Sequence, residues 1–516
     1  MAQKATLFCG SKSVSWDDLA NAVTLLEKVA RDGTINRVLK KDELTNHVPE
    51  YFGTISSLPA YRLVQTTTGI FRAVHGRDRA RSWRFTLEEL VCYLAAFKSK
   101  RLHDTIYAVL GLASDFSLPE NNPQPENGLQ QGLRTITRTP TAVTMGRGQK
   151  SILEVNYDRN PLEVYKLFLN RVIEKSRSLD ILNRPWAPES GFDASDRPDS
   201  ITLPSWIASL SRKPFQEAEN GNMFRFNPDP LVGPVRNRFY AASGNEEADI
   251  HIDTLPAPDG RSTMTVRGFI IDKITETYNA SSFGAVPGDW LKAGGWVKEE
   301  DGSIPPPPDA LWRTLVADRD NEGHVPARWY PMVFQSVAKE RGLAYGFETY
   351  RLIHESTNAW IAELFRRVQA VVWGRKLIYT EGKYIEYLSG KLVHGIGLAP
   401  KDAEKGDLVC IILGCSVPLV LRREDDVVHH NPFFEKRPGV EHKGSGIHNV
   451  EETEPTTARS SSGRVPEMEK DEKNEGTYRL MGECYIDHMM DGEALAFLEE
   501  NSTKEVHEQL RLFTLV

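Results

Sequence analysis

Two spacings of apolar residues alternate along the chain and predict its elements. Apolar positions three and four apart mark amphipathic helices. Leu19, Val23, Leu26 and Ala30 form one such set. Ser15 before them suits an N-cap, and Asp17 and Asp18 place carboxylates at the positive end of the helix dipole. Thr86 and Glu89 make a capping-box pattern for a helix from Thr86 to Phe97, with Leu87, Leu90, Val91, Leu94 and Ala95 as its stripe. The best-specified helix starts with Asn160 at the N-cap, Pro161 at N1 and Glu163 at N3. Leu162, Tyr165, Phe168, Leu169, Val172 and Ile173 share one of its faces. Phe347 to Val372 is a further helical stretch, with Trp360, Ile361, Leu364, Phe365 and Val368 on one face. Thr105 to Leu110 reads as a buried helix or strand, with Gly111 as a C-terminal stop.

Short apolar or alternating runs bounded by turn residues predict strands. Residues 5–9 and 178–182 are two of them, and Leu203 to Ile207 is an extended piece anchored by Trp206. Ile250 to Thr254 and Met264 to Ile274 suggest a hairpin across an Asp-Gly turn. Lys376 to Thr380, Leu392 to Leu398, Asp407 to Leu413, Pro418 to Arg422 and Tyr478 to Ile486 are short strands at close intervals. They predict a small antiparallel sheet or barrel. Polar residues crowd 424–476, so the C-terminal module is read as one β-rich unit with a disordered insertion.

The expected fold class is α+β, with a helical N-terminal half carrying short strands and a small antiparallel β-rich C-terminal module. Six regions follow: 1–116 helical, 117–152 a disordered loop, 153–280 a mixed α/β middle, 281–328 a loop marked by Pro305 to Pro308, 329–372 helical, and 373–516 the β-rich module with its insertion. A chain of 516 residues predicts roughly three domains.

Composition narrows the function classes. A net charge of −8 on a chain of this size argues against bulk attraction to nucleic acid or anionic lipid. No signal peptide is read at the N-terminus, and no stretch approaches the roughly 20 apolar residues of a membrane span. The five cysteines are sparse and unpaired by motif, which predicts a reducing compartment and a cytoplasmic protein. Arg72, Arg77, Arg79, Arg81 and Arg84 form a basic run that reads as a solvated surface before a phosphate site.

Catalytic chemistry has no clear signature. No cofactor or metal motif appears. His429, His430, His442 and His448 fall inside the polar insertion, without the fixed frame a metal needs. Cys484 with His488 and Cys410 with His394 could be drawn as nucleophile and base, though neither has a nucleophile turn, and buried structural thiols are the simpler reading. Asp487, Asp491 and Glu493 suit turn capping.

An ordered set of blocks resembles the fungal heterokaryon-incompatibility (HET-domain) family. The blocks are Gly10-Ser-Lys-Ser-Val-Ser-Trp16, Asp104-Thr-Ile-Tyr107-Ala-Val-Leu-Gly111-Leu, Val155-Asn-Tyr157 with Glu163-Val-Tyr165, and Leu203-Pro-Ser-Trp206. In the C-terminal module they are Gly374-Arg, Gly406-Asp407-Leu-Val, Gly414-Cys, Pro418-Leu-Val-Leu-Arg422, Gly482-Glu483-Cys-Tyr485 and Met490-Asp-Gly492-Glu493. The family's N-terminal core carries A-L-S-Y-x-W-G, W-x-D-x-x-C-I-N-Q and R-x-W-x-x-Q-E blocks, which this sequence lacks, and Leu102-His103-Asp104 stands where P-R-D is common. The resemblance therefore implies a chain related to the family's later regions, with no effector residue carried over. It implies a non-enzymatic scaffold or regulator in self/non-self recognition and programmed cell death, with other incompatibility proteins as partners. An enzyme with an unrecognised site and a chain without independent activity stand as alternatives.

Overall fold

The computed structural model describes residues 6–31, 59–71, 85–95, 97–115, 143–145, 149–151, 153–191, 200–217, 223–253, 260–356, 358–382, 395–424, 476–501 and 510–516. The expected loop at 117–152, the Arg72 to Arg84 run, the four insertion histidines and His394 fall wholly or largely outside these residues.

Local sequence signals set the N-terminal elements. β1 (Thr6–Cys9) and β2 (Lys12–Ser15) pair around a two-residue turn. Ser15 Oγ then accepts the Asp18 amide at 3.1 Å and starts α1 (Trp16–Arg31), which packs on β2 and α2 (Pro59–Phe71). α3 (Leu87–Leu94) opens with the full capping box: Thr86 Oγ1 accepts the Glu89 amide and Glu89 Oε2 accepts the Thr86 amide. The stretch from Thr105 is a helix, α4 (Asp104–Leu110). β3 (Val143–Met145) and β4 (Gln149–Ser151) form a small hairpin. α5 (Pro161–Ser176) begins as the sequence predicts, with Asn160 Oδ1 accepting the Leu162 amide at 2.9 Å.

Three expectations are corrected. The strand expected at 178–182 is a 3-10 turn, Asp180–Leu182. Its apolar residues are buried, but Ser178 Oγ accepts the Asp180 amide and closes the backbone on itself. β5 (Phe215–Glu217) pairs with β6 (Met223–Arg225), and β7 (Ile250–Ile252) pairs with β8 (Met264–Ala280) as the hairpin pattern predicts. The loop expected over 281–328 contains two helices, α6 (Gly288–Ala293) and α7 (Asp309–Val316). Pro308 is the lead-in to α7, and Leu311, Trp312, Leu315 and Val316 behind it bury at helical spacing. α8 (Tyr330–Arg341) follows, and the helical stretch expected over Phe347 to Val372 comprises α9 (Thr349–Glu355) and α10 (Ala359–Val372), with Asn358 accepting the Trp360 amide at the start of α10.

The third correction concerns the sheet. The strands β9 (Arg375–Thr380), β10 (Ile396–Pro400), β11 (Leu408–Ile412), β12 (Leu419–Arg423), β13 (Thr477–Glu483) and β14 (Tyr485–Ile486) are those the sequence predicts, give or take a few residues. They are not confined to 373–516, because β8 is their central strand. After α11 (Glu493–Asn501), a final strand, β15 (Arg511–Leu515), runs antiparallel to β8 and parallel to β13. Gly268 of β8 faces Ile412 of β11 and also Arg511 of β15, so those neighbours lie on opposite edges. The pairings β8–β11–β12–β13–β15–β8 thereby close a circuit of strands, and β9, β10 and β14 extend from the second half of β8. β12 and β13 are direct neighbours across residues 425–475.

Both faces of this sheet are covered. Cys410 and Ile412 point into a large apolar cluster that reaches back to Leu87. Val409 and Ile411 point into a second cluster with Phe269, Ile271, Val420 and the α11 residues Ala494, Leu495 and Leu498. The fold is mixed α+β. Among the described residues no helix is long and apolar enough to cross a membrane.

Candidate functional site

The residues of the resembling blocks do not line one cleft. They form separate polar clamps, and each clamp ties two distant parts of the chain.

The first lies beside α4. Asp104 Oδ1 accepts the Tyr157 hydroxyl at 2.7 Å, and the Tyr107 hydroxyl donates to the Asn156 carbonyl at 3.1 Å. Tyr107 and Tyr157 meet edge to face at 5.4 Å, with His103 against both rings and Arg101 over Tyr157 at 5.3 Å. Two blocks that are 53 residues apart thus build one aromatic cluster. His103 Nε2 donates to the Arg159 carbonyl at 2.7 Å, and its Nδ1 is buried without a hydrogen-bond partner.

The second clamp closes the β11–β12 hairpin. Arg422 meets Asp407 with Nε–Oδ1 at 2.8 Å and Nη2–Oδ2 at 2.9 Å, and also donates to the Asp402 carbonyl. Asp407 further accepts the Glu404 amide at 2.8 Å, within the turn that Gly406 permits. A forked guanidinium–carboxylate pair is the strong geometry for such a contact.

The third is deeper. Glu483 accepts Arg375 Nη2 at 2.7 Å, the Leu231 amide at 2.7 Å and the Val232 amide at 3.3 Å. Arg375 is 2% exposed and also donates to the Asp229 and Val371 carbonyls. Burial raises the Glu483 carboxyl, while Arg375 and the two amides pull it down. Next to it, the Tyr485 hydroxyl donates to Asp487 at 3.0 Å, and burial raises both groups. Arg319 Nη2 donates to both Asp491 carboxylate oxygens at 2.8 and 2.7 Å, and Glu493 accepts the Asp491 amide across Gly492. Asp491 and Glu493 are therefore turn and clamp residues, as their spacing predicts.

The fourth clamp joins one block residue, Gly414, to residues outside the blocks. Gly414 accepts the Leu179 amide and the Ser178 hydroxyl, and Asp180 accepts the Ser416 amide at 2.8 Å. Asp180 lies 3.7 Å from Arg184, whose other nitrogen meets Glu88 at 2.9 Å. Arg238 also approaches Asp180, and Arg236 pairs with Glu89. Desolvation pushes the Glu88 carboxyl up to about 7 against the pull of Arg184. A carboxyl raised above its unfolded value binds its proton more tightly when folded, so its contribution is present at low pH and lost as pH rises through about 7. Wild-type stability is expected to fall by about 2–4 kcal/mol between pH 5 and 8 relative to Glu88→Gln. Urea titrations of both proteins across that range check this. Parallel curves would count against it.

The remaining block residues have structural places. Trp206 is fully buried and its indole donates to the Ser262 carbonyl at 3.3 Å. Trp16 is half-buried at the head of α1, away from the sheet. Gly482 takes a left-handed φ within β13, and Gly111 ends α4 with ordinary helical φ. Arg375 stands in the Gly374-Arg block with no role assigned from the sequence, and its counterparts Arg319, Arg184, Asp180 and Glu88 lie outside the blocks. Arg375 carried one signal, an arginine leading an apolar strand.

Cys410, Cys415 and Cys484 are buried, and burial raises all three thiols, so none is poised as a thiolate nucleophile. His488 lies against Asp487 at 3.6 Å. Among the described residues no group of three or more His, Cys, Asp or Glu side chains is arranged to hold a metal ion. An open cleft of about 320 Å³ is lined by Asp289, Lys292, Trp296 and Lys298 among others, and no block residue reaches it. No family model matches the chain, and no curated protein or solved structure matches it either.

Proposed function

We propose that the chain is a non-enzymatic, HET-related interaction protein, a scaffold or regulator acting in the cytoplasm in vegetative incompatibility, self/non-self recognition and programmed cell death. One observation carries the non-enzymatic part. Four carboxylates of the blocks help to hold the fold: Asp104 is bound by Tyr157, Asp407 by Arg422, Glu483 by Arg375 and Asp491 by Arg319. A catalytic carboxylate needs an open lobe facing substrate space, whereas Asp407 and Glu483 are buried and each of the four carries a protein donor. The family and its process rest on the ordered blocks alone, and their proposed partners are other incompatibility proteins.

The test is expression in a fungal host, alone and together with a full-length HET relative, scored by growth, death and co-purification. Altered growth or death that requires the relative, with co-purification, is expected. Unchanged growth and no co-purification would overturn the reading.

A further inference from the structure

The helical layer carries an aromatic face that the described fold leaves open. Trp360, near the start of α10, is 57% exposed. One face of its indole stacks on Trp329 at 5.6 Å and 25°, which leaves the outer face to solvent. Val325 and Met332, 74% and 70% exposed, sit in the adjoining segment. An exposed tryptophan flanked by further apolar side chains is more informative than any one exposed residue.

Carboxylates gather beside it. Glu363 is one helical turn after Trp360, so the two side chains are neighbours on α10. Asn321 Nδ2 donates to the Glu363 carbonyl at 3.4 Å, which lays the 320–324 turn against the helix. Asp320 holds that turn by accepting the Glu322 amide at 2.9 Å and the His324 amide at 2.8 Å. Burial, then Glu322 and Asp320, raise the Glu363 carboxyl, and Arg366 offsets this only in part. The like charges are therefore close enough to feel each other.

A second observation comes from behind the stack. Tyr330 is fully buried against Trp329, with ring centroids 4.6 Å apart. Its hydroxyl has no hydrogen-bond partner. Burial and then Glu363, Asp320 and Glu322 raise it, so the same carboxylates lie near enough to act on this group. A buried hydroxyl left unbonded costs about 1–3 kcal/mol.

The carboxylates are not arranged to hold a metal ion, so the complementary ligand is an organic cation with a flat face. A guanidinium meets both demands. It stacks on indole and donates in a fork to carboxylates. We propose that the outer face of Trp360, with Glu363, Glu322 and Asp320 beside it, binds an arginine side chain in a basic segment of a partner protein. The inference rests on the function above only in that the protein works by contact.

Calorimetric titration of the full chain with the peptide acetyl-(Gly-Arg-Ser)3-amide, and with its lysine counterpart, tests it apart from any fungal assay. The arginine peptide is expected to bind at least about 5-fold more tightly than the lysine peptide. Trp360→Ala is expected to weaken it about 10-fold. The doubly neutralised Glu322→Gln/Glu363→Gln protein, altered only at surface carboxylates, is expected to weaken it about 5-fold and to lose most of the salt dependence. No binding of the arginine peptide, or equal affinity in the wild type and the doubly neutralised protein, overturns the proposal.

Discussion

Replacing Glu483 with Ala is expected to remove about 3–5 kcal/mol of folding stability, because it leaves a buried cation without its counter-charge. Arg375 has no route to water at 2% exposure. The Leu231 and Val232 amides lose their acceptor in the same step. A loss of this size is a large share of the roughly 5–15 kcal/mol that holds a folded protein together. It should appear as a lower denaturant midpoint with little change in slope. Glu483→Gln keeps an acceptor for the amides and should cost less. Changing both partners, Arg375→Met with Glu483→Leu, should be milder than Glu483→Ala alone, because no buried charge is left over. A folding stability for Glu483→Ala within about 1 kcal/mol of wild type would mean that Arg375 finds another acceptor.

Glu483 and Arg375 both stand in resembling blocks, but sequence distance hides that they pair. Local devices were readable because both halves lie within a few residues. Thr86 with Glu89, and Asn160 before Pro161, are complete in the sequence and form as written. The Asp407–Arg422 pair was half-local, 15 residues apart across one hairpin, and both members belong to the resembling blocks. Glu483 and Arg375 are 108 residues apart, and Asp491 and Arg319 are 172 apart. Only the folded chain names such partners. The sheet follows the same rule. Burial on both faces makes Val409 to Ile412 uniformly apolar, which erases the alternation that would tell one face from the other. β15 carries few residues and owes its pairing to β8, more than two hundred positions earlier. The run Pro305 to Pro308 misled for a different reason. Proline signals a break in a helix, but it also suits the residues just before one, and α7 begins directly after it.

Two glycines of the resembling blocks separate a fold requirement from a mere likeness, and they give the second large effect. Gly414→Ala is expected to cost about 3 kcal/mol or more. Its φ is +82°, and a Cβ there would stand 2.6 Å from both the amide nitrogen and the Cα of Ala248. Backbone atoms cannot swing aside as a flexible side chain can. The shift would also pull the Gly414 carbonyl from Leu179 and Ser178, one turn from the Asp180–Ser416 contact that anchors the Glu88 network. Gly111 has φ −69°, and an added Cβ would meet nothing within 4 Å. Gly111→Ala should therefore be neutral or stabilising by up to about 1 kcal/mol, since alanine narrows the unfolded ensemble and favours the helix end. Thermal and urea unfolding of the two variants side by side decide the matter. If both are equally destabilised, the close approach at Ala248 is not what Gly414 serves. If Gly111→Ala folds as well as wild type yet loses the partner-dependent effect in the fungal host, then Gly111 is kept open for a surface that docks on the end of α4.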